Sequence, residues 1–129
     1  MAELRPFKLP TGVRGEMIGW HYLRHAGFRI LEKNYRCVIG EIDVVAEKKG
    51  RLCFIEIKTR TGERFGRPEE AVTAAKQAKL IRLAEWYLKE HPRRDPKIAF
   101  HVLAVRMQGA AEPQIRLFED AFQATEESA

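Results

Sequence analysis

Apolar and polar positions recur with two different periods along this chain, and the changes of period mark its elements. Ile18, Tyr22, Leu23 and Ala26 fall at helical spacing. They predict a helix from Thr11, a candidate cap, to about Ala26, with Gly27 as its stop. Phe28 to Leu31 and Tyr35 to Val38 are short strand candidates. Glu41 to Glu47 and Arg51 to Thr59 alternate apolar with polar residues on either side of the turn signal Lys48-Lys49-Gly50, as a hairpin does. Thr61 to Arg67 reads as a polar, glycine-bearing loop. Pro68 suits the first turn of a helical stretch reaching about Glu90, with Thr73 as a second candidate cap and His91-Pro92 as the stop. Lys97 to Arg106 is apolar on nearly both sides, the pattern of a strand covered on two faces. Gln114 to Phe118 is a last, weaker strand.

The element order is α-β-β-β-α-β-β, which predicts an α/β fold with a mixed sheet flanked by helices. The helix between the 51–59 and 97–106 segments suits a crossover, making those two strands parallel. A length of 129 residues fits one domain. It is expected over residues 11–122, with an irregular arm at 1–10 and a frayed acidic tail at 123–129. There is no internal repeat and no low-complexity tract.

The hairpin register can be read from the apolar pattern. With Lys49-Gly50 as the two central turn residues, Ala46 faces Cys53, Val44 faces Ile55 and Ile42 faces Ile57, all apolar and all on one side. The other side then pairs Val45 with Phe54, Asp43 with Glu56 and Glu41 with Lys58. A three-residue loop would scramble both faces. Two carboxylates directly opposite would have Cβ atoms about 5 Å apart, a destabilising pairing. A hard divalent cation such as Mg²⁺ removes the conflict, because it takes oxygen ligands. Lys58, two residues from Glu56, would share its face and could stabilise charge growing on a scissile phosphate. The plainer alternative is a solvated face on which Lys58 pairs with Glu41.

Charge strengthens the phosphate reading. The net charge is +5, and Met107 to Ala129 holds one cation, Arg116, against five anions. Residues 1–106 are therefore distinctly basic, which favours polyanions. Arg60, Arg64 and Arg67 follow the hairpin, where they could hold a phosphate backbone. Lys76, Lys79 and Arg82 form a basic stripe at helical spacing, and Gln77 could bind a phosphate or a metal-bound water. Glu16 lies on a semi-apolar helix stripe with Gly19, Trp20 and Leu23. Trp20, Trp86 and Tyr87 read as core residues. Two cysteines, Cys37 and Cys53, form no disulfide framework and no zinc spacing. No signal-peptide core or membrane-length apolar run is found, so a cytoplasmic protein with no membrane association is expected.

Gly40-Glu41-Ile42-Asp43 with Phe54-Ile55-Glu56-Ile57-Lys58-Thr59-Arg60 resembles the small YraN-like family of bacterial proteins. Gly15-Glu16, Gly27-Phe28-Arg29-Ile30-Leu31, Asn34-Tyr35-Arg36-Cys37, Phe65-Gly66 and Lys76-Gln77 carry the same resemblance. More broadly, an acidic helix residue, an aspartate, a hairpin and Glu-x-Lys are similar to the PD-(D/E)xK nuclease superfamily, including the archaeal Holliday-junction resolvases. Ile42 stands where that superfamily often has proline, and Ala74-Ala75 stand where a proline-containing helix start is expected. The resemblance implies a restriction-endonuclease-like fold. It implies Asp43, Glu56 and Glu16 as ligands of Mg²⁺ (or Mn²⁺), and Lys58 as the catalytic cation. It further implies a DNA endonuclease, selective for branched or single-stranded DNA, with a homodimer as a possible assembly. The alternative is a non-catalytic nucleic-acid-binding module that keeps the fold.

Overall fold

A computed structural model describes residues 10–62, 72–109 and 111–124. Arg64, Arg67, Pro68 and most of the arm and tail lie outside the described residues. The elements are α1 (Thr11–His25), β1 (Arg29–Cys37), β2 (Gly40–Lys48), β3 (Arg51–Thr61), α2 (Ala74–Glu90), β4 (Lys97–Met107) and β5 (Gln114–Phe122). The strands form one sheet in the order β1-β2-β3-β4-β5. β3 and β4 are parallel and every other neighbouring pair is antiparallel. This is the expected α-β-β-β-α-β-β order and the mixed, helix-flanked sheet of a restriction-endonuclease-like α/β fold.

Each face of the sheet has its own apolar core. α2 buries Leu80, Leu83, Ala84 and Tyr87 against Tyr35, Ile42, Phe54 and Phe100. α1 buries Leu23 against the face that carries Val44, Ile55, Ile57, Leu103 and Val105. β4 is buried from Ala99 to Met107, and apart from His101 and Arg106 its residues there are apolar, as a strand covered on both faces requires. Tyr87 is core as expected, whereas Trp20 is only half-buried and Trp86 is exposed. Trp20 instead carries the Lys33 ammonium 4.3 Å from its ring centre, a cation–π contact.

The hairpin turn is the one the sequence specifies. Lys49 (φ 51°) and Gly50 (φ 76°) are both left-handed, as a two-residue type I′ turn requires. Val44 faces Ile55, Val45 faces Phe54 and Ala46 faces Cys53, the expected register. The thread is lost beyond Val44. Ile42 belongs to the α2 face while Val44 belongs to the α1 face, so β2 breaks its alternation at Asp43. The expected Ile42–Ile57, Asp43–Glu56 and Glu41–Lys58 pairs are absent from the ladder.

The cause lies partly in the neighbouring strand. The two short segments expected at 28–31 and 35–38 are one strand, β1, with a left-handed residue, Asn34 (φ 52°), inside it. Asn34 falls level with Asp43, between the Lys33–Val44 and Tyr35–Ile42 pairs. Both strands therefore reverse their faces at the same level. β5 also outruns its expected end. It bulges at Asp120 (φ 49°), whose N–H donates to His101 Nδ1 at 2.9 Å, and pairing resumes at Phe122. Bulges of this kind let a strand continue after losing register.

Two helix ends differ from expectation. Thr11 is inside α1 rather than its cap; Pro10 is the N-cap and accepts Arg14 N–H at 3.0 Å. The fixed φ of proline presets that entry, so no side-chain cap is needed. Thr73, by contrast, caps α2 by accepting Lys76 N–H at 3.3 Å.

α1 sits on β3 through glycines one turn apart. A Cβ on Gly15 would lie 1.9 Å from Thr59 Oγ1, and one on Gly19 would lie 2.9 Å from Ile57 Cδ1. The Gly15 contact is impossible without moving the helix or the strand. Gly15→Ala is expected to destabilise the protein by about 1–3 kcal/mol through overpacking, outweighing the helix-propensity gain of up to about 1 kcal/mol. Gly12→Ala, with open space around it, should be neutral or slightly stabilising. Urea unfolding of the two variants measures the contrast; equal stabilities would mean that α1 does not sit where described.

Candidate metal centre

β3 pairs with β2 only as far as Ile55, but with β4 as far as Thr61. Its last residues therefore have a strand on one side only. The Ile57 N–H would be left without a partner there, and Asp43 Oδ2 accepts it at 2.7 Å. Such a bond directs the Asp43 side chain toward β3, into the gap between the strands. The break in alternation is thus what delivers this carboxylate.

Three other carboxylates bear on Asp43 from different elements: Glu56 on β3, Glu16 on α1 and Glu41 on β2. Burial foremost, then the charge of Glu56, pushes the Asp43 carboxyl up to about 7, although the Ile57 bond pulls it down. Glu16 is half-buried and is also raised, first by burial and then by Glu41. These are the shifts expected where like charges share a poorly solvated site. Glu41 itself pairs with Arg36 at 2.7 Å, so the expected alternative in which it pairs with Lys58 does not hold.

Glu56 Oε1 lies 3.5 Å from Lys58 Nζ and 3.6 Å from Lys76 Nζ. Burial, followed by the neighbouring Lys76, holds the Lys58 ammonium below the ordinary lysine range, against the pull of Glu56. A groove of about 120 Å³ opens here, lined by Glu41, Glu56, Lys76, Lys79, Leu80 and Leu83. Gln77 donates its side-chain amide to Val72 O at 3.2 Å, tying down the start of α2. Arg60 is half-buried near the end of β3, level with Arg106 of β4. Arg106 in turn donates to Gly62 O at 3.3 Å.

The sequence-named Glu16, Asp43, Glu56 and Lys58 thus converge on one end of the sheet, joined by Lys76. Among the described residues, no three His, Cys, Asp or Glu side chains form a ready-made metal cage. The donor set nevertheless fits a hard divalent ion. It consists of carboxylate oxygens, with no soft ligand at the site, and burial together with the charge of Glu56 raises Asp43, a cost that such an ion would relieve. Asp43, Glu56 and Glu16 are the residues that would hold it. Cys53 lies on the opposite face from Glu56, and burial pushes its thiol up to about 11, which keeps it unreactive at neutral pH.

Residues 15–105 match the family described as uncharacterised protein family UPF0102. The chain belongs to the UPF0102 family. It is 44% identical over 115 residues to a UPF0102 protein of Syntrophotalea carbinolica, covering 89% of this chain and 93% of that one. It is 42% identical over 114 residues to one from Symbiobacterium thermophilum, covering 88% and 97%, and 39% identical over 114 residues to one from Rhodococcus opacus, again covering 88% and 97%. The UPF0102 match begins at Gly15 and so contains the glycine seat of α1 and all four carboxylates, with Lys58 and Lys76. No helix among the described residues is long and apolar enough to cross a membrane.

Sequence reasoning put Lys76 on a basic stripe but missed its ion pair with Glu56. A signal was available. In a β–α–β unit the helix begins near the level where the first strand ends, so the first turn of α2 should lie close to Glu56 and Lys58.

The raised Asp43 carboxyl has a stability consequence. Its folded pKa, about 7, exceeds the unfolded value, so its favourable contribution is complete below about pH 4 and is lost as pH rises through 7. Asp43→Asn keeps an oxygen for the Ile57 N–H and removes the charge. With divalent ions chelated, it should be more stable than wild type at pH 8 by about 2–4 kcal/mol. The difference should shrink on acidification and vanish near pH 4. Thermal unfolding at several pH values reads this out; a pH-independent difference would contradict the shift.

Proposed function

We propose that this protein is a divalent-metal-dependent endonuclease that hydrolyses phosphodiester bonds in DNA, with branched or single-stranded DNA as the favoured substrate. The observation that carries the reading is the crowding of Asp43 with Glu16 and Glu56 beside the Lys58 ammonium. A fold needing only stability would separate those charges or replace one of them. The basic bulk of the chain and the cations at this end of the sheet, Arg60 and Lys76, supply a surface for the phosphate backbone.

A bound Mg²⁺ or Mn²⁺ would act as a Lewis acid on the phosphoryl oxygen and lower the pKa of water beside it. The protein's own groups divide the remaining work. Asp43 is fixed by the Ile57 amide and is pre-oriented. Glu56 lies on a central strand. Lys58, on the same face, offers positive charge where the scissile phosphate gains negative charge. Its lowered pKa leaves it better suited than an ordinary lysine to exchange a proton near neutral pH.

A second reading has one observation in its favour: Glu56 is already paired with two lysines, as it would be in a nucleic-acid-binding module without catalysis. A nicking assay separates the two. With Mn²⁺ or Mg²⁺, the full chain should nick a branched or single-stranded DNA, and Asp43→Ala or Lys58→Ala should lower the rate by about 100-fold or more. Undiminished cleavage by those variants would refute the residue assignment. DNA binding with no metal-dependent cleavage would select the second reading.

A further inference from the structure

Lys58 and Lys76 share a single oxygen of Glu56, at 3.5 and 3.6 Å. Two ammoniums set positive charge directly at that oxygen, although Asp43 and Glu16 make the wider site acidic. A divalent ion approaching that oxygen would stand a few ångströms from both, where repulsion is strong in a half-buried site. Withdrawing one ammonium would make that oxygen a better ligand for the ion.

The two lysines differ in their freedom to leave. The Lys58 side chain is 27% exposed and that of Lys76 is 44% exposed. Lys58 springs from a central strand paired with β4 at Ala104. Lys76 springs from the first turn of α2, at the rim of the groove, on a flexible four-carbon stem. Outside the groove, the natural partner for its ammonium is an anion such as a backbone phosphate.

We propose that Lys76 is a positioning residue that holds Glu56 in the metal-free protein and releases it when nucleic acid takes up the lysine. Metal and nucleic acid would then bind cooperatively through one side chain. This inference rests on the metal-site reading above. Linkage makes the coupling reciprocal: a phosphate that draws Lys76 away tightens the metal, and the metal tightens the phosphate contact by the same factor. Lys79 lines the same groove, but its stem lies over Gly40, so it serves as a charge-matched control.

The test is calorimetric titration of MnCl₂ into the full chain as wild type, Lys76→Met and Lys79→Met. Methionine keeps the stem length and suits a helix. Lys76→Met should bind Mn²⁺ about 5- to 20-fold more tightly than wild type, within the usual range of coupling. Lys79→Met should change it about twofold or less, as a screened charge would. In a companion measurement, Mn²⁺ should strengthen wild-type binding of a labelled single-stranded oligonucleotide, and Lys76→Met should lose most of that enhancement. Equal Mn²⁺ affinity in wild type and Lys76→Met would overturn the inference while leaving the metal site intact. So would a Lys79→Met effect as large as that of Lys76→Met. No Mn²⁺ binding by any of the three proteins would remove the metal site and the inference together.

Discussion

The Ile57 N–H donates to Asp43 Oδ2 at 2.7 Å at the point where β2 ceases to pair with β3. A strand that loses its neighbour exposes amides that must be satisfied. Here a carboxylate does so in place of a ladder carbonyl, and much of the site follows. Asp43 is directed into the gap between strands, so it feels Glu56 from the α2 face and also Glu16 from α1. The gap exists because β2 reverses faces at Asp43 while β1 passes through left-handed Asn34 at the same level. Neither irregularity would survive in a sheet without apolar cover. Ile42 and Tyr35 on one side and Val44 on the other are buried by the two helices, which fixes the reversal.

The two helices have double duties. α1 is drawn onto β3 by Gly15 and Gly19, and Glu16 is carried down with it. α2 covers the other face with Leu80, Leu83 and Tyr87, and its capped first turn brings Lys76 to Glu56. Core packing and site assembly are therefore the same set of contacts. Burying Asp43 beside Glu56 works against stability, as its raised carboxyl records, and is tolerated because the rest of the sheet is densely apolar.

Much of this was legible in the residues. The alternation on both sides of Lys49-Gly50 specifies the turn and the register from Val44 to Lys48, and the two-sided apolar pattern of 97–106 specifies a covered central strand. The long helix between them specifies the parallel pair. Two features were not legible. The face reversal at Asp43 depends on a left-handed Asn34 in another strand, and asparagine only modestly favours that conformation. Strict alternation therefore put Ile42 on the wrong face and Asp43 directly across from Glu56. The Lys76–Glu56 pair depends on how α2 lies on the sheet, which hairpin register alone does not describe. Asp43 still lies close enough to Glu56 for their charges to interact, and Glu56 pairs with Lys58, despite both differences.

The carboxylates gathered along β2 and β3 are proposed to form a divalent-cation site. Anomalous diffraction from a crystal soaked in Mn²⁺ tests it most directly. An anomalous peak is expected between Asp43 and Glu56, at about 2.0–2.3 Å from an oxygen of each. A well-ordered crystal with no peak there, and with Glu56 still paired to both lysines, would contradict the claim.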